Sequence, residues 1–425
     1  MTIALMILLL FALMIIGVPI AAALALASLA FVVMDGLPPM IVLANMVNGI
    51  NSFPLIAVPF FILAGNLMNS AGITTRIFAF ARSVVGWMHG GLGHVNVGAS
   101  VIFAGMSGAA VADAGGLGNI EIKAMRDSGY DTDFAVGITA ASSTIGPIIP
   151  PSLPLVIYGV IADASIGQLF MAGIVPGVMM ALALMVMVAW YARRRDYPRD
   201  LEFVFSRLWR TFLSALLPLM TPVIIIGGIM FGIFTPTEAA IAAVAWCLFL
   251  GTAVYRTLDW RTVLKVSFDT VETTAAIMLI VAASTIFAWI LTANQTAQHF
   301  SNLMVNLTDN RIALLLIITL IVLVIGLFME TIAAITILTP VLLPVAVGLG
   351  IDPVHFGIIM ILNLMIGLLT PPVGMVLYVL SKVAHVPFEQ CVRATAPFLV
   401  PLVTVLLLLT FIPAFSMWLP TLVYR

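Results

Sequence analysis

A proline-broken apolar segment occurs twice in this chain at a constant separation. The first copy reads Gly146-Pro-Ile-Ile-Pro150-Pro151 and the second Gly367-Leu-Leu-Thr-Pro371-Pro372, each shared residue lying 221 positions after its counterpart. The same step carries Gly105 onto Gly326, inside another glycine-interrupted apolar stretch. Proline lacks a backbone donor and strands an upstream carbonyl. Lipid cannot satisfy such groups, so a break at membrane depth is tolerated only where it is buried in protein or lines a cavity. Paired interruptions in two halves point to the binding site of a secondary transporter.

Composition supplies the membrane premise. Of 425 residues, 63% are hydrophobic and 8% charged, against about 25% charged in soluble domains. There is too little polar surface for a water-soluble fold, and the chain reads as one integral membrane unit in the lipid bilayer. A net charge of −1 gives no reason to expect nucleic acid as a partner. Cys247 and Cys391 lie in apolar runs and suggest neither a disulfide nor a metal site. His89 and His94 flank a glycine-rich turn and read as interfacial. The N-terminal stretch lacks a charged n-region and a small-residue cleavage site, so it reads as a retained span.

A spanning helix needs about 20 apolar residues. Spans are expected near 3–34, 54–72, 133–161, 167–192, 214–234, 237–255, 268–292, 354–383 and 392–415. The first contains Gly17-Val-Pro19. It is either two short helices with 38–52 on the surface, or one helix with 38–52 crossing. Segments 92–126 and 312–348 are apolar but punctuated by glycine, and each reads as a re-entrant helical hairpin. Segments 196–213 and 257–266 mix arginine, tryptophan and aliphatic residues, and read as interfacial helices.

Basic residues test this layout. Fifteen of the seventeen lysines and arginines fall on one side, leaving Arg311 and Arg425 opposite. Positive charge is retained in the cytoplasm, so the first hairpin enters from inside and the second from outside. Opposite entry is what an inverted repeat requires. The expected fold is therefore an all-α polytopic membrane protein, an elevator-type inverted repeat with two re-entrant helical hairpins and two broken transmembrane helices. Its parts are 1–91 (first scaffold helices and arm), 92–192 (first hairpin, broken helix and span), 193–310 (cytoplasmic linker and second scaffold) and 311–425 (second hairpin, broken helix and final span).

The candidate chemistry clusters at the interruptions. The first hairpin turn carries Gly105-Met-Ser107-Gly108 and Asp113, and the following span carries Ser142, Ser143, Thr144 and Gly146. Freed carbonyls with Ser and Thr hydroxyls form a hard oxygen cage suited to sodium. The second half has Gly326, Glu330 and Thr331 at its turn, then Asn363, Gly367, Thr370 and Pro371. Glu330 is ionisable at membrane depth, which marks a functional candidate, against a carboxylate satisfied by backbone donors. Asp113 carries the same ambiguity, with structural capping preferred. Glu238, in Thr235-Pro-Thr-Glu238, reads as a helix-start residue. No catalytic or phosphate-binding motif is present. Without a Walker sequence, energy comes from an ion gradient or a partner.

At this point four ordered motifs resemble one family. Gly108-Ala-Ala-Val-Ala-Asp113, Ala140-Ala-Ser-Ser-Thr-Ile-Gly-Pro-Ile-Ile-Pro-Pro-Ser152, Phe234-Thr-Pro-Thr-Glu-Ala-Ala240 and Leu362-Asn-Leu-Met-Ile-Gly-Leu-Leu-Thr-Pro-Pro-Val-Gly374 are similar to the large membrane subunit of TRAP transporters. The resemblance covers essentially the whole chain. It implies a bacterial inner-membrane carrier that imports a small organic acid anion, a carboxylate, by sodium symport. It also implies two partners: a small four-helix membrane subunit, and a periplasmic substrate-binding protein that hands the anion over. Sodium, the coupling ion, maps by resemblance to Ser107, Ser142, Ser143 and Gly146 in one site. The other site is Gly326 to Thr331 with Gly367, Thr370 and Pro371. Substrate contacts are expected from Ser107, Thr144, Glu330, Thr331 and the position of Val376. Two positions depart from the pattern. Many members have serine at Ala109 and asparagine at Val376, so the substrate is expected to differ rather than the sodium chemistry. The alternatives are a stand-alone sodium/carboxylate carrier, an intramembrane enzyme built on Asp113 and Glu330, and a channel.

Overall fold

The computed structural model describes residues 3–296 and 310–424, without the side chains of 105–107 and Arg311. Arg425 and the side chains of Arg311 and Ser107 therefore lie outside the described residues. Every described element is a helix. Seven of them are long and apolar enough to cross a membrane, so the chain is a multi-pass membrane protein.

The N-terminal stretch is two helices, α1 (Ile3–Ile15) and α2 (Ile20–Met34), followed by α3 (Met40–Ile50). Gly17, at φ +92°, and Pro19, capping α2, make the break. At 1.5 Å per residue α1 and α2 are each short of a ~30 Å hydrocarbon core. Together with α3 they share a separate apolar cluster, in which Met6, Leu24, Phe31 and Val42 pack on Ala283, Phe287 and Ile290.

A 3₁₀ turn at Phe53–Ile56 leads into α4 (Ala57–Ser70), and α5 (Ile73–Val85) follows. The first hairpin is α6 (Gly91–Ser107) and α7 (Ala110–Asp127). Its turn is made by Gly108, at φ +59°, where an added Cβ would also meet the Pro151 carbonyl oxygen at 2.8 Å. The first broken helix is α8 (Thr132–Ser143) and α9 (Leu153–Ile161), and α10 (Ile166–Arg195) follows. After α11 (Phe205–Met230), α12 (Pro236–Phe249) and α13 (Trp260–Ala293) the pattern returns. The second hairpin is α14 (Arg311–Gly326) and α15 (Thr331–Gly348). The second broken helix is α16 (Pro353–Gly367) and α17 (Met375–Ala384), followed by α18 (Phe388–Phe411) and α19 (Ala414–Val423). α15 has the bounds of α7 moved by 221 positions, and both Pro-Pro bonds, 150–151 and 371–372, are cis.

Helix pairing exchanges the halves. α7 packs on α17 while α15 packs on α9; α4 packs on α12 while α13 packs on α2. The second arm of each hairpin thus packs on the second part of the other half's broken helix. Neither half buries its apolar surface alone, and one core runs through both.

Two expectations are corrected. The segments 196–213 and 257–266 are not separate interfacial helices. Residues 205–230 and 260–293 are single helices that run from the charged stretch into the apolar one. A change from charged to apolar composition does not end a helix, and no glycine or proline separates the two parts of either one. His94 is not interfacial but 1% exposed. Glu238 behaves as expected: Thr235 and Glu238 form a reciprocal capping box at the start of α12.

Ion pairs and ring contacts join the basic turns. Arg82 makes two bonds to Asp200, at 2.5 and 2.6 Å. Arg195 bonds Asp131 at 2.7 Å, Arg199 donates to His89 Nδ1, and Arg126 donates to the Ala384 carbonyl. The Arg76 guanidinium lies 3.8 Å from the centre of the Tyr255 ring. The turns after α4, α5, α7, α10, α12 and α17 therefore meet at one end of the bundle.

Candidate functional site

The broken elements converge on one cavity of about 640 Å³. The first hairpin contributes Gly108 to Ala112, and the second contributes Glu330, Thr331 and Ile332. The breaks contribute Pro147, Pro151 and Leu153 from one half and Leu368 and Met375 from the other. Two helices outside the hairpins and breaks close the far side: α4 with Asn66 and Asn69, and α13 with Glu272 and Thr273.

The two hairpin tips differ chemically. Glu330 is the N-cap of α15, and its Oε2 accepts from the Ile332 and Ala333 amides at 2.9 and 3.2 Å. The backbone-satisfied reading of Glu330 therefore describes its contacts, although the residue also faces the cavity. α7 has no side-chain cap, because Ala109 stands at its N-cap. The first amides of a helix have no intrahelical partner, and here Val111 and Ala112 are exposed in the cavity wall. Asp113 does not supply the expected cap; it is 2% exposed in the first turn of α7 and does not line the cavity.

Ser142, Ser143 and Thr144 are buried where α8 ends. Ser143 and Thr144 donate to the Ala140 and Ala141 carbonyls at 2.8 and 2.6 Å. Their hydroxyl oxygens keep free lone pairs. Ser142 donates to Asn96 Oδ1 at 2.6 Å, and Asn96 Nδ2 donates to Glu121 Oε2 and Thr139 Oγ1, each at 2.7 Å. Gly146 is buried in the break that follows.

In the second half Gly326 and Gly367 are buried against each other. The Val373 amide donates to the Leu327 carbonyl at 3.3 Å, tying hairpin to break. Thr370 donates back to the Ile366 carbonyl at 2.8 Å, and Pro371 is exposed. Thr331 lines the cavity. Val376 is fully buried in α17 and, like Thr144, is not among the lining residues. Sequence reasoning missed Asn66, Asn69, Glu272 and Thr273. The only available signal was polar residues at helical spacing inside apolar spans.

The chain is similar to transport permeases along nearly its whole length. The family model for the DctM component of the tripartite ATP-independent periplasmic transporter matches residues 7–415. The sialic acid TRAP transporter large permease protein SiaM of Vibrio cholerae is 50% identical over 407 residues, 96% of this chain and 95% of that protein. The 2,3-diketo-L-gulonate TRAP transporter large permease protein YiaN of Escherichia coli is 41% identical over 399 residues, 94% of each. The solved YdaH transporter of Alcanivorax borkumensis shares the fold, with a TM-score of 0.62 at 14% identity over 87% of each chain. The two permeases are named as transport proteins, and the intramembrane-enzyme alternative falls with that.

Proposed function

The chain belongs to the family of the DctM component of tripartite ATP-independent periplasmic transporters, and from that premise we propose that it imports a small organic acid anion across the bacterial inner membrane, coupled to sodium. The observation that carries the proposal is the cavity on which both hairpin tips and both helix breaks converge. A binding protein outside hands over the anion, and a separate small membrane subunit braces the scaffold. The uncapped N-terminus of α7 suits the carboxylate, since unpaired amides and the helix dipole favour negative charge there.

Sodium is the second cargo. One ion is held where the first hairpin tip meets Ser142, Ser143 and Gly146. The other is held where Gly326 to Thr331 meets Gly367, Thr370 and Pro371. The free hydroxyl lone pairs at the end of α8 and the backbone approach of Gly326 to Gly367 support these assignments. Loaded hairpins and broken helices then slide as a unit against α4 and α13, an elevator movement built on an inverted repeat. The cavity's scaffold wall is formed by Phe61 to Asn69 of α4 and by Glu272 to Ile280 in the middle of α13.

Uptake into proteoliposomes containing this chain, its small subunit and its binding protein tests the proposal. Sialic acid and 2,3-diketo-L-gulonate serve as first labelled probes, with simple dicarboxylates beside them. Uptake that needs both sodium and the binding protein is the expected result. Sodium-driven uptake without the binding protein would place the chain with stand-alone carriers instead.

A further inference from the structure

The two walls of the cavity differ in charge as well as in origin. Among the described residues no lysine, arginine or histidine lines it, and its two ionisable residues are Glu330 and Glu272. Glu330 is occupied by two backbone amides at the start of α15. Glu272 is exposed on the opposite wall, and no hydrogen bond or ion pair joins its carboxylate to another described residue. Its neighbours add both acceptors and amide donors to that wall. Thr273 gives its hydroxyl hydrogen to the Asp269 carbonyl at 2.9 Å, and Asn66 gives an amide hydrogen to Thr270 at 3.1 Å. Asn69, whose Oδ1 accepts from Thr74, keeps its amide hydrogens as donors. Across the cavity stand the free amides of α7, which only donate.

A cargo lying between these walls meets only donors at the α7 end, and at the other end a carboxylate beside the Asn69 amide. A single carboxylate group suits the α7 end. A second carboxylate would sit against Glu272, and like charges brought together at a binding surface are strongly unfavourable. A hydroxyl or ammonium group at that end would instead donate to Glu272, and a hydrogen bond to a charged acceptor is worth more than a neutral one.

On the premise of the transport reading, we propose that Glu272 determines specificity. It selects monocarboxylates whose far end donates hydrogen bonds and rejects dicarboxylates.

The test uses the full chain with its small subunit in lipid nanodiscs with sodium, and reads ligand-dependent thermal stabilisation. Three probes are compared: gluconate, 4-aminobutyrate and succinate. Gluconate or 4-aminobutyrate is expected to bind at least about tenfold more tightly than succinate, a difference of about 1.4 kcal/mol. Which of the two binds better tells whether the donor read is hydroxyl or ammonium. Glu272→Gln and Glu272→Ala should erase most of that ratio, mainly by improving succinate. Succinate binding the wild type as well as the other two, a ratio unchanged in both variants, or binding by none of the three would each overturn the proposal. Sodium-driven uptake is scored separately. Uptake with unaltered selectivity removes only the role of Glu272, whereas absent uptake removes the transport reading itself.

Discussion

Gly367 and Gly326 meet backbone to backbone: a Cβ on Gly367 would come within 2.7 Å of both the carbonyl carbon and the carbonyl oxygen of Gly326. They are the ends of α16 and α14, so the second hairpin is seated against the second break through these two residues. Neither partner can move aside as a flexible side chain would, because the clashing atoms are main chain.

Gly367→Ala should therefore unseat the hairpin tip. Overpacking a tight site costs about 1–3 kcal/mol, and backbone contact puts this substitution at the upper end. Sodium-driven uptake in proteoliposomes should be lost, with a lowered melting temperature in detergent. Wild-type uptake by the variant would show that the close approach is dispensable.

Glu330→Ala should act through the helix start. It leaves the Ile332 and Ala333 amides without their acceptor, and loss of an N-cap side chain costs about 0.5–2 kcal/mol. Glu330→Asp and Glu330→Asn, which can still accept from those amides, should recover most of the stability. Equal melting temperatures for the Ala variant and the wild type would remove the capping role.

Asn96→Ala should disturb the proposed first sodium region from behind. Asn96 links Ser142, Glu121 and Thr139, and leaving a buried polar group unpaired costs about 1–3 kcal/mol. The concentration of sodium giving half-maximal uptake is expected to rise severalfold, because Ser142 loses the partner that orients it. A sodium dependence identical to the wild type would separate Ser142 from ion binding.

Asp131→Asn should destabilise the chain near neutral pH but not in acid. The Tyr197 hydroxyl donates to Asp131 at 2.6 Å and Arg195 donates to the same oxygen, and both hold its carboxyl below the usual range. A depressed folded value means that the stabilisation is present above the unfolded value of about 3.9 and is lost as pH falls through the folded one. The melting temperatures of the two proteins should differ at pH 7 and converge at low pH. A gap that persists in acid would assign the effect to packing instead.

The repeat was legible because it is written in local terms. Gly108, Pro150-Pro151 and Pro371-Pro372 end helices here and mark hairpin and break from local sequence, whereas Pro176, Pro218 and Pro340 lie inside helices that continue. Composition likewise decided the membrane environment, since 8% charged residues cannot cover a soluble surface. The helix of residues 260–293 was misjudged because composition was read as a boundary where no breaker exists.

Tertiary structure alone decided which polar groups share the cavity. Glu272 and Asn66 reach it from helices more than two hundred positions apart in the chain. Their meeting depends on how α4 and α13 pack beside the repeats, not on any pattern near either residue. The same holds for Glu330 and Ala109, which stand at corresponding tips. One tip is capped and the other bare, and that difference acquires meaning only because both open onto one space.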